Sequence, residues 1–255
     1  MSHDIPLRKC YIRYRGSRPE TDAQGWAEYG FWQLGIETAS FAWIDEINDL
    51  TDLGPEVGMA GFIGDVHRAL EVMGKPIPEN VDYPPELTEF LGREIRLGTL
   101  GDLRRHPGTP MFVKPQAHKA FSGFVWNGDG VSRRQIVTHG DETPVFLCDP
   151  VTFVAEFRVS VLYGQVIDCR RYKGDWSVAP DKETVLRAAK LMGKERHAYC
   201  LDWGVTDDGR TLLVEMNEGY SFGHYGLPPV SYARMLAARW HQMARSASVP
   251  PGGAS

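Results

Sequence analysis

An α+β fold with a large antiparallel component, preceded by a small α/β unit, is what this 255-residue chain predicts. Three features point there. Strand and helix signals alternate over residues 1–93, short β runs punctuated by turns dominate from residue 94 onward, and residues 199–217 read as one β-hairpin centred on Asp208-Gly209.

The elements follow in order. Residues 10–15 read as a strand, 24–34 as a short helix, 38–45 as a second strand, and 62–73 as a helix with apolar residues at helical spacing. The proline-rich stretch 76–85 is a connection. Pro85 then opens a helix to about Gly92, a position where the missing proline N–H would be unbonded in any case. Beyond it, residues 94–99, 110–114, 123–126, 132–139, 145–147, 154–162 and 165–172 read as strands. Asn127-Gly128-Asp129-Gly130 and Tyr163-Gly164 supply turns. Helices are expected over 181–192 and 231–243, the second of them amphipathic. The expected division is a first unit over 1–93, a second over 94–245, and a tail over 246–255 whose Pro250-Pro251-Gly252-Gly253 reads as disordered.

Composition narrows the function classes. A formal charge of -5 gives no overall basic field, so a nucleic-acid partner is not expected. The four cysteines, Cys10, Cys148, Cys169 and Cys200, lack any CxxC spacing and are expected to pack as small apolar groups, which suits a reduced, cytoplasmic setting. Residues 1–8 have no apolar signal-like core, and no apolar run approaches the roughly 20 residues of a membrane span, so no membrane is expected. No P-loop or GxGxxG motif and no HxH or HExxH spacing is present, which removes P-loop and dinucleotide readings. The sequence leaves the oligomeric state open.

The hairpin carries the strongest chemical signal. With Asp208-Gly209 as a two-residue turn, Asp207 faces Arg210 and Asp202 lands opposite Glu215, with Asn217 on the same face. The other face would carry Leu201, Trp203 and Val205 against Leu212, Val214 and Met216. Like charges opposite one another destabilise a sheet, so the pair calls for a cation between them or a slipped register. An oxygen-only set of this kind suits magnesium. The same pattern also fits the solvated face of an ordinary antiparallel sheet.

Upstream, Lys114 ends a strand whose other face is apolar and would present a fixed positive charge to a phosphate. The loop from Lys119 to Gly123 could close over a triphosphate through a charge and backbone amides, or be a plain surface turn. Glu156 and Arg158 share one strand face. If Tyr163-Gly164 is the turn, Glu156 pairs with Arg171, while Arg158 offers a planar donor fork to a phosphoryl group.

Taken in order, a strand ending in Val113-Lys114-Pro115, the Lys119–Gly123 loop, the stretch Phe146-Leu147-Cys148-Asp149-Pro150-Val151, Glu156-x-Arg158, and Asp202 with Glu215-x-Asn217 resemble the ATP-grasp superfamily. The likeness is to the compact clade named for one arginine and two lysines, and it covers residues from about 94 to 240. It implies an ATP-grasp fold with antiparallel subdomains sandwiching ATP, residues 1–93 forming a pre-ATP-grasp domain. By that resemblance Lys114 and Lys119 hold the α- and β-phosphates, with the loop through Gly123 as a lid. Cys148, Asp149 and Val151 face the adenine, and Glu156 receives the ribose hydroxyls. Arg158, with Lys119, serves the reaction itself, and Asp202, Glu215 and Asn217 bind Mg2+. The hinge departs from the family pattern, since relatives tend to carry a glutamate where Cys148 and Asp149 stand. Substrate contacts are expected among Arg171, Tyr172, Lys173 and residues 218–225, Ser221 and Tyr225 included. The implied activity is ATP-dependent joining of a small-molecule or peptide carboxylate to an amine through an acyl phosphate. The alternatives are a non-catalytic ATP-binding module and a small-molecule kinase.

Overall fold

A computed structural model describes residues 5–117, 120–193 and 195–248. Lys119, and the Pro250–Gly253 part of the expected tail, lie outside the described residues. The first sheet is built around β1 (Lys9–Arg15), which pairs antiparallel with the short β2 (Arg18–Pro19). Helix α1 (Asp22–Gln33) then carries the chain to β3 (Glu37–Phe41), parallel to β1 on one side, and β4 (Val57–Ala60) lies parallel to it on the other. Flanked on both edges, β1 buries its apolar centre of Cys10, Tyr11 and Ile12, while Lys9, Arg13 and Arg15 carry its ends toward solvent. The expected strand at 38–45 stops at Phe41 and gives way to a 3-10 turn over Ile44–Asp49. Helix α2 (Ile63–Val72) buries Val66, Ala69 and Leu70, and the Asp65 carboxylate accepts a hydrogen bond from Phe62 N at 2.8 Å to close its first turn. A 3-10 turn over Pro85–Phe90 ends the connection.

The second sheet is made of β5 (Arg96–Thr99), followed by α3 (Leu100–Arg105), then β6 (Met111–Pro115), β7 (Phe124–Trp126), α4 (Gly130–Gln135) and β8 (Pro144–Cys148). Its strands run antiparallel in the order β5-β8-β6-β7 over a small core of Leu100, Leu103, Val113, Trp126, Ile136, Val145 and Leu147. The strand expected over 132–139 is instead the helix α4 and the turn after it. Asp129 caps it by accepting from Ser132 N at 2.7 Å, and Ser132 and Ile136, four apart, are the residues turned inward while Val131 and Val137 stay exposed.

The third sheet, β10-β9-β11-β12, is antiparallel throughout and formed by β9 (Ala155–Leu162), β10 (Gln165–Gly174), and, after α5 (Lys182–Met192), β11 (Ala198–Val205) and β12 (Thr211–Glu218). Helix α5 lays Val185, Ala188, Ala189 and Met192 on the face carrying Val159, Val161, Leu201 and Trp203. Arg158, Ser160, Cys200 and Asp202 alternate to the other face. Finally α6 (Pro229–Ala244) returns to pack on α1 and β4, with Trp240 Nε1 donating to Gly54 O at 2.9 Å. Gly30 makes this approach possible, because a Cβ there would stand 2.1 Å from Pro229 O.

The hairpin has the expected pairing of Asp202 with Glu215 but a different turn. Near the turn Trp203 pairs with Leu213 and Val205 with Thr211, so Asp207, Asp208 and Gly209 form a three-residue loop with Gly209 at φ +84°. A bulge at Val214 then shifts the register by one and restores Asp202 opposite Glu215. The apolar face consequently carries Leu213 rather than Leu212 and Val214. Arg93 pins the bulge by donating to the carbonyls of Leu213 at 3.0 Å and Val214 at 3.2 Å.

Candidate active site

A single row of side chains crosses the third sheet. Pairing places Arg170 beside Arg158, Arg158 beside Asp202, and Asp202 beside Glu215. Arg158 grips Asp202 with two bonds, Nε to Oδ1 at 2.8 Å and Nη2 to Oδ2 at 2.6 Å, and both groups are buried. Arg158 Nη1 donates to Gly223 O at 3.1 Å, and the guanidinium lies 4.6 Å over the Tyr225 ring, which itself stacks on Tyr172. Asn217 Nδ2 donates to Asp202 Oδ2 and Glu215 Oε1, each at 3.2 Å.

The second sheet supplies the counter-charge. Lys114, on β6, reaches across to Glu215 Oε2 in a close ion pair and to Asp82 Oδ2 at 2.8 Å. The charge repulsion expected between Asp202 and Glu215 is therefore resolved by two flanking cations and a bridging amide. Burial alone would raise the Glu215 carboxyl, yet the Lys114 ammonium outweighs it and holds Glu215 below its ordinary range. Burial likewise works against the charge of Lys114, but Glu215 and Asp82 together push the ammonium pKa up. At Asp202 burial prevails and raises the carboxyl, with Arg158 opposing.

These groups line the floor of a cleft of about 900 Å³. Lys114, Gly123, Arg158, Glu215, Asn217, Ser221 and Tyr225 are on its wall, and Asp202 lies directly behind Arg158. Ser221 Oγ donates to Gly61 O at 3.0 Å, tying the loop after β12 to the first sheet. Other expected residues lie elsewhere. Cys148 is buried at the end of β8, Asp149 follows it exposed, and Val151 is half-buried; with Glu156 these are not on the cleft wall. Glu156 does not pair with Arg171: two bulges in β10 bring Lys173 opposite it, and Glu156 accepts from Tyr172 OH at 2.9 Å and from Lys173. Arg171 turns to Gly174 O at 2.7 Å.

Sequence reasoning missed Asp82 and Asn80 in the proline-rich connection, and the amino ends of α1 and α2, where Thr21–Gln24 and Gly61–Ile63 form the opposite wall. The only local signal at Asp82 is an acid set between Val81 and Tyr83 ahead of a proline pair.

Whether magnesium suits this floor turns on the chemistry of its donors. Among the described residues no group of three or more His, Cys, Asp or Glu side chains is arranged to hold a metal. Two carboxylates remain, Asp202 held on both oxygens by Arg158 and Glu215 at the cleft wall, and Asn217 faces both with its amide nitrogen, so its oxygen would serve a metal only after the amide turns. Magnesium commonly takes one or two protein carboxylates and completes its shell with water and substrate phosphate, so the residues present fit it.

Comparison with known proteins identifies the fold. The ATP-grasp domain of the clade named for one arginine and two lysines, in the second of that clade's families, matches residues 90–235. The fold is similar to the ADP complex of PurK, an N5-carboxyaminoimidazole ribonucleotide synthetase, at a TM-score of 0.64 and 11% identity, over 91% of this chain and 78% of that one. It is similar to the D-alanine–D-alanine ligase of Bacillus anthracis complexed with ATP, at a TM-score of 0.54 and 14% identity, over 93% and 96%. A Chryseobacterium gregarium RiPP-associated ATP-grasp ligase, in complex with ADP and a leader and core peptide, matches at a TM-score of 0.52 and 10% identity, over 91% and 96%. No protein of curated function matches the sequence. With more than half of its length matched, the chain belongs to the ATP-grasp family, in the clade named for one arginine and two lysines.

Proposed function

We propose that the protein is an ATP-dependent carboxylate–amine ligase that works through an acyl phosphate, with magnesium, and that residues 1–93 and 94–245 act as its pre-ATP-grasp and ATP-grasp domains. The observation that carries the reading is the cation–anion row at the cleft floor, Arg158–Asp202–Glu215–Lys114, assembled from two sheets. Asp202, Glu215 and Asn217 would hold Mg2+, whose chemistry is to neutralise phosphate charge. Lys114 presents a located positive charge to the nucleotide phosphates. Arg158 commits one edge of its fork to Asp202, and the remaining N–H bonds of Nη1 and Nη2 are free to bind the transferred phosphoryl group.

In the first step a substrate carboxylate oxygen attacks the γ-phosphorus of ATP and the bond to the bridging oxygen breaks, releasing ADP. In the second an amine attacks the acyl carbon, an amide forms, and phosphate leaves as the amine gives up a proton. On the family resemblance alone, since none of the four stands on the cleft wall, we assign the adenine side to Cys148, Asp149 and Val151 and the ribose hydroxyls to Glu156; the phosphate loop goes to Lys119 and Gly123, and substrate contacts to Ser221 and Tyr225, with Arg171 and Lys173 further out. A cytoplasmic setting is proposed on the cysteines, all four of which are free thiols; Cys10, Cys148 and Cys200 are buried as expected, whereas Cys169, between Asp168 and Arg170 on β10, is exposed. No helix among the described residues is long and apolar enough to cross a membrane.

Proteins of this fold act on small molecules and on peptides, so both belong in the first substrate pool. The test is magnesium-dependent ATP consumption with pooled amino acids, small carboxylates and peptides, with products weighed by mass spectrometry. A condensed product that disappears in Glu215→Ala is expected. A phosphorylated product without condensation would indicate a kinase, nucleotide binding without turnover an interaction module, and no binding of Mg-ATP would overturn the reading.

A further inference from the structure

We infer that Asp82 is a positioning residue for Lys114, keeping that ammonium at the cleft floor while Glu215 turns from it to a metal ion. The inference rests on the ligase reading above.

Three carboxylates and two cations meet at the floor: Asp82, Glu215 and Asp202 with Lys114 and Arg158. Asp202 has both oxygens engaged by Arg158. Glu215 is the carboxylate whose partner must change when a metal arrives, and that partner is Lys114. Were Glu215 the sole counter-ion, a metal would have to break the only ion pair of a largely desolvated lysine and leave its charge stranded, a costly state. Asp82 removes that obstacle. Its buried Oδ2 stands 2.8 Å from Lys114 Nζ and has no other polar partner among the described residues.

The backbone makes Asp82 a firm support. Its carbonyl accepts from Met216 N on β12 at 2.8 Å, beside Glu215. The next residue, Tyr83, packs edge-on against Phe146 of β8 at 5.0 Å and lays its ring 5.5 Å from the same ammonium. The connection is thus pinned to both sheets where they meet, and it delivers a carboxylate that belongs to neither.

The test measures the Mg2+ concentration needed for half-maximal ATP binding, by calorimetry, in the parent, Asp82→Asn, Lys114→Gln and the double variant. Asp82→Asn keeps the size of the side chain and the main-chain bond to Met216, so melting temperature should change little. If Asp82 acts through Lys114, Asp82→Asn raises the Mg2+ requirement about tenfold, equal to about 1.4 kcal/mol. In the Lys114→Gln background it should add nothing. Asp82→Glu, which retains the carboxylate, should recover part of the loss and serves as the second variant should Asp82→Asn not fold. An unchanged Mg2+ requirement, or the same shift with Lys114 already removed, would overturn the inference alone. A folded parent that fails to bind Mg-ATP would overturn the ligase reading and this inference together.

Discussion

The two antiparallel sheets that meet at Lys114 and Glu215 are built to different standards. The third sheet has strands of 8 to 10 residues with α5 across its inner face and a core holding Trp203, Leu201, Val159 and Leu213. The second has strands of 3 to 5 residues over a smaller core around Trp126 and Val113. The larger sheet holds the buried charges, Arg158 and Asp202, where close placement depends on rigid surroundings. The smaller one contributes Lys114 and the exposed Ser122 and Gly123. Local stability follows buried apolar cover, so the sheet that fixes the charges should open last and the one that closes over them first.

Asp202→Ala breaks the contrast most severely. It leaves the Arg158 guanidinium buried with Gly223 O as its one bonded acceptor among the described residues, and removing one partner of a buried pair costs about 3–5 kcal/mol. Urea unfolding should register that loss, and Mg-ATP binding should go with it. A loss under about 1 kcal/mol would mean the row is better hydrated than its burial indicates.

Trp203→Ala and Trp126→Ala compare the sheets directly. Both rings are fully buried, and each truncation should cost about 3–5 kcal/mol where it acts. Hydrogen exchange separates the two. Trp203→Ala should lower protection throughout the chain, whereas Trp126→Ala should expose β6, β7 and β8 while leaving β9 and β11 protected. Equal patterns would show that the sheets open as one unit.

What the sequence revealed of this arrangement depended on the range of the interactions. The Asp202–Glu215 pairing was legible, although only because two offsets cancel, a longer turn and the Val214 bulge. Bulges have no local signature, and two more in β10 moved Lys173 to the place expected for Arg171. Residues 132–139 read as a strand, but Asp129 supplies a helix cap just ahead of them. Strand β4 has four small or apolar residues with no alternation, and its parallel partner β1 lies before α1 and β3 in the chain, beyond what local pattern reports. Asp82 was missed for the same reason. Its meaning comes from Lys114 and Met216, both remote along the chain. Strand alternation gives the faces that Lys114 and Arg158 take, but their roles came from the order of motifs that resembles the ATP-grasp superfamily.

The smallest expected effect sharpens the comparison by staying within the larger sheet. Lys173 and Glu156 form an ion pair on the same strands as Arg158, but at the rim, where the lysine side chain is 69% exposed. Water and salt screen such a pair, so Lys173→Ala should change stability by no more than about 1 kcal/mol, and less in high salt. Glu156 keeps its bond from Tyr172 OH, which limits the loss further. Urea unfolding at low and high ionic strength measures it. A cost of about 3 kcal/mol, insensitive to salt, would place the rim on the same energetic footing as the buried row. Two residues along β9 would then not separate a fixed charge from a screened one, and the rigidity assigned to Arg158 would have to come from its stack with Tyr225 and Tyr172 instead of from burial.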